Sequence, residues 1–432
     1  MILMNKIVID LREHEECITE EPVEITSRED KDLARTLTES GKLEIYETRH
    51  GLHIKSSSYV GSLTLGNLQI NINPKINGAP FLRLLRYAYN LRNFTFFPLT
   101  DYQSRSLSFQ EVLIIQLIAE ARELIMRGLN RQYVPVAESL TLPRGRIDFA
   151  AIVASGGIIE AKLPCHYFQR MEDHLLNQVL MAGLMMAESL TDDLEIKQQI
   201  RRLVRIIEND VSRIQLNLNV LDKAKREINR LSSAYRPALT IIEILLNAQG
   251  IELTDIQLVK LPGFLFDMNL FYQSLLERFL KDNLPDYQVK GQKSMYGMMA
   301  YARGYNPQGK KAPVLRPDFV IYEGKQVVAV MDAKYRDLWE KDLPANMLYQ
   351  LVIYALSKDG RGSATILYPT LNRSAREARI EVREPAAGVN QASVILRPVN
   401  LQEMDTVLAN KGKSEYDKRR TEMAMEMVFG KV

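Results

Sequence analysis

Apolar and polar positions alternate in short runs over the first hundred residues. Leu43-Glu-Ile-Tyr-Glu47, His53-Ile-Lys55, Tyr59-Val60 and Leu68-Gln-Ile-Asn-Ile-Asn73 read as half-buried strands, with Gly41, Gly51, Gly61 and Gly66 as turn positions between them. Asp30–Ser40 has the spacing of a short helix packed on those strands, and Phe81–Tyr89 has helical spacing again. From about 104 to 260 the period lengthens. Val112, Ile115, Ile118 and Ala119 share one helical face, as do Leu175, Val179 and Met186, and Lys197–Arg236 carries Leu203, Ile206, Ile207, Ile214 and Leu221 among charges. The methionines there read as core filling.

Beyond residue 262 helix and strand alternate. The pattern predicts a helix over Asp267–Asn283 and strands over Gln288–Met295, Asp318–Tyr322 and Val327–Asp332. A helix over Leu343–Leu356, strands over Ala364–Tyr368, Arg379–Arg383 and Ala392–Pro398, and a charged helical tail follow. The chain is therefore expected to be α/β and multidomain: a β-rich part over 1–100, a mainly helical part over 101–261 and an α/β part over 262–432.

The length, 432 residues, suits two or three domains. A 46% apolar, 25% charged composition is that of a globular protein, not a disordered or collagen-like one. No apolar run reaches the length of a membrane span, and Ile7-Val8-Ile9, broken by Lys6 and Asp10, does not make a signal peptide. Two distant cysteines, Cys17 and Cys165, give neither a disulfide framework nor a zinc knuckle, so a reducing cytoplasm is the expected location. The net charge is only +3, so DNA contact has to be local or shared with a partner.

Three candidate motifs fail on chemistry. Gly304–Lys311 has the glycine and lysine spacing of a P-loop, but Lys311 stands where a magnesium-holding Ser or Thr is needed, and Pro313 and Pro317 leave no room for a helix start. It reads as a basic loop able to touch DNA phosphates. His50 and His53 have no third ligand nearby, and Cys165-His166 has no evident base.

Arg316-Pro317-Asp318 through Asp332-Ala333-Lys334 is the informative stretch. Two apolar runs flank a Glu323-Gly324-Lys325 turn, a hairpin signal that brings Asp318 opposite one of residues 329–332. Asp332 and Lys334, two apart on a strand, share a face. Two carboxylates with the Ala333 carbonyl form a hard oxygen set suited to Mg2+, with Mn2+ as an alternative, and Lys334 can orient a water or offset charge at a phosphodiester. Gln350 and Tyr354, spaced i, i+4 on the next helix, can reach the same site.

These residues resemble the PD-(D/E)xK nuclease superfamily, with the Gln-x-x-x-Tyr helix of its RecB-like branch. The resemblance implies a mixed central sheet flanked by helices, metal ligands Asp318, Asp332 and Ala333, and a catalytic Lys334. It also implies a polar residue from the first helix, for which Gln273 stands at the matching position, with Glu277 one turn later as the alternative. Tyr59-Val-Gly61, Ile70-Asn-Ile-Asn-Pro74-Lys75-Ile76, Arg144-Gly145-Arg146-Ile-Asp148 and Asp173-His-Leu-Leu-Asn177 resemble the N-terminal and central regions of McrC proteins, subunits of McrBC-type and LlaJI-type restriction systems. That likeness implies a DNA endonuclease subunit acting on double-stranded DNA and stimulating a McrB-like AAA+ GTPase. Residues 1–100 are then the expected partner-interacting part, and Arg144 and Arg146 the expected local contacts. Two other readings compete: an activator that only scaffolds an AAA+ DNA motor, and a stand-alone RecB-like repair nuclease.

Overall fold

In the computed structural model the described residues are 7–19, 25, 27–49, 51–76, 78–91, 108–157, 161–253, 257–260, 263–296, 298–357, 359–384, 388–410 and 412–431. The chain divides into two compact units, residues 1–91 with 265–432, and residues 92–264. The division thus differs from the tripartite one drawn along the sequence, because the first and last segments build one unit. Helix Gly78–Tyr89 packs on helices Met268–Asn283 and Leu401–Ala409, and Arg83 grips Asp405 with two hydrogen bonds of 2.8 and 2.6 Å. Glu13 accepts hydrogen bonds from the Tyr335 hydroxyl (3.0 Å) and the Lys75 amide (2.6 Å). Sequence periodicity reports which face of a segment is buried but not which distant segment buries it.

The larger unit holds a six-stranded mixed sheet in the order Gln288–Gly291, Phe319–Glu323, Gln326–Ala333, Ser363–Thr370, Asn390–Asn400, Ala378–Arg383. Its three central strands run parallel and both its edges are antiparallel. Ser363–Thr370 is buried along nearly its whole length, as a strand covered on both faces must be. On one face helix Ala345–Leu356 sets Leu351 and Tyr354 onto Val320, Val330, Ile366 and Val394. Each such fully buried aliphatic side chain is worth about 1.5–3 kcal/mol, so the helix is firmly seated. Helix Met268–Asn283 packs against Gln288–Gly291 and Gln326–Ala333. The expected strand over Gln288–Met295 is thus shorter, and its remainder is a single bridge from Met295 to Leu315. Two smaller sheets complete the unit, one combining Ile7–Arg12, Leu68–Asn73, Tyr59–Leu65 and Gly263–Asp267, the other Glu16–Ile18, Gly51–Ser56 and Leu43–Thr48.

The second unit is a bundle of helices Phe109–Met126, Leu175–Leu190, Leu194–Glu208, Leu218–Glu227 and Arg236–Gln249. The first is closed by a Ser108/Glu111 capping box. The mainly helical reading missed a three-stranded sheet here, Gln132–Leu140, Leu163–Met171 and Arg146–Ile147. Almost none of it is buried, and Tyr133, Phe168 and Phe149 of its adjoining short helix are about 70% exposed. Its turn requires Gly145, which has φ +71° and whose missing Cβ would lie 2.4 Å from the His166 carbonyl oxygen. Arg144 lies over the Tyr167 ring at 5.2 Å.

Candidate active site

A β-bulge sets the site's geometry. Beyond the Glu323-Gly324-Lys325 turn the hairpin pairs Tyr322 with Val327, but then Ile321 with Ala329 and Phe319 with Met331. The extra residue moves the register by one, which in a sheet exchanges faces. Carried one step further, this register sets Asp318 opposite Asp332 with both side chains on the same face; without the bulge Asp318 would oppose Met331. The Asp318 Oδ2 accepts a hydrogen bond from the Ala333 amide (2.9 Å), and Oδ1 accepts one from Gln292 Nε2 (3.0 Å). Gln292, which nothing in the sequence pattern singled out, sits at φ 50° and also donates its amide to the Asp318 carbonyl.

Asp332 is 2% exposed. Lys334 Nζ stands 2.7 Å from its Oδ2, an ion-pair distance, yet that oxygen receives no hydrogen bond of good geometry among the described residues. Burial, and then the charge of Asp332, push Asp318 up to about 7, against the pull of the Ala333 amide and Lys334. For Lys334 burial acts downward, but Asp332 and Asp318 outweigh it and hold the ammonium above its ordinary value. Tyr354 is buried and accepts a hydrogen bond from Gln350 Nε2 (2.7 Å). Burial pushes its hydroxyl up to about 12, with smaller upward contributions from Asp332 and Asp318. Five of the singled-out residues, Asp318, Asp332, Lys334, Gln350 and Tyr354, therefore converge on one end of one sheet face.

Glu277 lies apart from this group. The Glu277 carboxylate pairs with Lys281 at 2.6 Å and fills the space above Gly291, where a Cβ would come within 2.8 Å of it. Gly291 pairs with Phe319, so Glu277 covers the face opposite Asp318. Gln273 stands four residues, about 6 Å along the axis, nearer the helix start. It is half-buried, without a hydrogen bond to either carboxylate among the described residues. Glu277→Ala should accordingly leave any site chemistry nearly unchanged, whereas Gln273→Ala should slow it if that side chain reaches over the sheet end. Rates of the two variants side by side decide the matter, and the reverse order would shift the helix alignment by one turn.

His53 lies 3.8 Å from Glu16, Cys165 is buried, and His166 pairs with Asp148 at 2.9 Å. His50 lies outside the described residues. Among the described residues no three His, Cys, Asp or Glu side chains group to hold a metal, and no helix is long and apolar enough to cross a membrane. The Asp318/Asp332 pair nevertheless fits a hard divalent cation. Two buried carboxylates repel each other, and the one ammonium beside them, Lys334 at 2.7 Å from the Asp332 Oδ2, does not offset both.

The raised Asp318 has a thermodynamic consequence. An unfolded Asp titrates near 3.9, so between about 4 and 7 the folded chain binds more protons than the unfolded one, and stability falls as pH rises through that window. Glu13, pushed to about 7 chiefly by burial, adds a slope of the same sign. With chelator present, Tm should therefore decline from pH 4 to pH 7, and Asp318→Asn should flatten part of that decline. A Tm profile identical in the variant would place the titration elsewhere.

The family model for McrBC 5-methylcytosine restriction system components matches residues 54–369. A chain of the refined half-complex from the tetradecameric assembly of Thermococcus gammatolerans McrB AAA+ hexamers with bound McrC shares 21% identity, with 96% of this chain and 99% of that chain covered at a TM-score of 0.60. A chain of the T. gammatolerans McrBC complex is 20% identical, with 64% and 88% covered at 0.49. No curated protein matches. The first of these likenesses carries the fold, and the family match over most of the length carries the membership: this chain belongs to the McrBC restriction-system family.

Proposed function

We propose that the chain is the DNA-cleaving subunit of a McrBC-type restriction system, a magnesium-dependent endonuclease of the PD-(D/E)xK kind that also stimulates a McrB-like AAA+ GTPase. The observation carrying this reading is the pair of buried, same-face carboxylates with Lys334 beside them. A charge group so costly to bury is seldom retained without a cation or a reaction to serve. Asp318, Asp332 and the Ala333 carbonyl would hold Mg2+, or Mn2+, which when bound polarises the scissile phosphate and acidifies a water. Lys334 directs its ammonium at the same point, orienting the attacking water and offsetting charge on the phosphate oxygens. Gln350 is half-buried and lines the approach of the DNA backbone, and the buried Tyr354 hydroxyl, which accepts its hydrogen bond, positions it.

The partner reading rests on the second unit. Its exposed sheet presents Tyr133, Phe168, Arg144 and Arg146 without a core of its own to cover them. Arginine forks suit carboxylates and phosphates, so this surface fits a partner protein carrying nucleotide. The solved assembly of McrB AAA+ hexamers with bound McrC supports the identity of that partner. Family membership weighs against a stand-alone repair nuclease, and the charged site weighs against a pure scaffold.

Magnesium titration by calorimetry tests the ligand set. Asp332→Asn should weaken binding by at least about 10–100-fold, the loss typical even of outer-shell partners. Unchanged affinity would remove Asp332 from the site.

A further inference from the structure

Between the strand Gln288–Gly291 and Asp318 the chain makes a long excursion. It is closed at its base by the Met295 amide on the Leu315 carbonyl (2.8 Å) and by Gln292 on Asp318. From Lys293 to Pro317 it contains no acidic residue; Lys293 pairs with Asp359 outside it (3.0 Å), and the other four basic residues are Arg303, Lys310, Lys311 and Arg316. None of these four makes an ion pair among the described residues, whereas Arg397 and Arg419 of the same unit are held by glutamates. Three tyrosines interleave with the charges, and Tyr296, Tyr301 and Tyr305 are 78%, 45% and 79% exposed. The tip is ordered around Asn306, which donates its side-chain amide to the Lys310 carbonyl (2.8 Å) and accepts from the Lys310 amide (2.9 Å). Lys310 and Lys311 thereby stand at a defined turn.

Exposed tyrosines and cations without ion-pair partners share this one loop, and the mixture matches one chemistry. A nucleic-acid strand with unstacked bases offers phosphates to cations and flat faces to tyrosines, whereas a closed duplex offers no base faces. We propose that the loop 296–316 is a strand-holding element that binds a single-stranded or locally opened stretch of DNA next to the cleavage site, with Tyr301 and Tyr305 stacking on bases and Arg303, Lys310 and Lys311 on phosphates. The inference rests on the nuclease reading, since it takes the ligand to be the substrate of the Asp318 site.

The test uses the full chain, a fluorescent oligothymidylate strand and a mixed-sequence duplex at low salt. Wild type should favour the strand. Tyr301→Ala/Tyr305→Ala should lose about tenfold or more in strand affinity for each stack removed, with the salt dependence unchanged. Tyr301→Phe/Tyr305→Phe, which keeps the rings, should bind as wild type. Arg303→Ala/Lys310→Ala/Lys311→Ala should instead flatten the slope of log affinity against log salt by about 2, from roughly 0.7 per lost phosphate contact. A wild-type chain without affinity for the strand, or alanine variants that bind it unchanged, would overturn the proposal. If the tyrosine variants bind normally while Lys334→Ala abolishes cleavage by the assembly, the loop assignment falls and the nuclease stands. Tyrosine-dependent strand binding in an assembly whose cleavage ignores Lys334 would mean the reverse.

Discussion

Replacing Lys334 with alanine is expected to abolish DNA cleavage by the assembled complex. Lys334 is fixed at both ends, its backbone N–H donating to the Leu367 carbonyl (3.0 Å) and its ammonium pairing with Asp332 (2.7 Å). It is one-quarter exposed, buried enough for its charge to act in a poorly screened site yet open enough to meet substrate. Loss of such an electrostatic group commonly costs about 10²–10³ in rate or more. The substitution also leaves Asp332 buried without its counter-ion, so metal-free Lys334→Ala should be less stable than wild type and regain stability with magnesium. Lys334→Arg keeps the charge but spreads it over a larger fork, and should cleave poorly while folding normally. Gel cleavage assays read the rate, circular dichroism the fold, and co-elution the partner. Wild-type cutting by the alanine variant would remove Lys334 from the mechanism.

Much of this site is legible in the sequence because its parts are local. The Glu-Gly-Lys turn, the flanking apolar runs and the spacing of two between Asp332 and Lys334 fix a hairpin and a shared face with no tertiary information. The facing of Asp318 is different. It depends on the bulge between Ile321 and Tyr322, which no residue type announces, and this is why alternation alone leaves the partner open over residues 329–332. Gln292 escaped for a related reason, being a polar residue after a strand whose role exists only once Asp318 is beside it. The helix face opposite the site was half legible: Gln273 and Glu277 share a face in sequence, but only the pairing of Gly291 with Phe319 assigns Glu277 to the far side.

The domain plan was the least legible part. Glu13, His14, Arg83 and Tyr59 all bond to residues more than 200 positions away, to Tyr335, Asp405 and Asp267. A segment that reads as a separate β-rich domain is thus part of the unit that carries the hairpin. Removing residues 1–100 would strip buried contacts from that unit, so such a deletion cannot report cleanly on partner stimulation. The exposed sheet of the second unit escaped because its strands lack the apolar alternation by which buried strands are recognised. Gln132–Leu140 alternates only between exposed and half-exposed positions.

The isolated chain is expected to cut DNA very slowly or not at all, and to cut it with magnesium only once its AAA+ partner and GTP are added. A net charge of +3 over 432 residues gives little general hold on duplex DNA, because each phosphate contact adds to affinity through counterion release. The unpaired cations of the loop 296–316 are too few to replace a DNA-reading module, and the glycine-lysine stretch within that loop lacks the Ser or Thr and the helix of a nucleotide site. Delivery of DNA, and the energy to open or move it, must come from outside this chain. Coupling in the other direction should run through the exposed sheet. Arg144→Ala/Arg146→Ala should abolish stimulation of the partner's GTPase, since Arg144 is held over Tyr167 at a tight turn and Arg146 is exposed on the neighbouring strand. Asp318→Ala should preserve that stimulation while losing cleavage, because its hydrogen-bond partners Gln292 and Ala333 belong to the first unit. Phosphate release and cleavage measured on the same preparations, on methylated and unmethylated DNA, separate the two activities. Robust magnesium-dependent cutting by the isolated chain without nucleotide would overturn the subunit model in favour of a stand-alone nuclease. Stimulation that survives the arginine substitutions would move the partner contact to another surface.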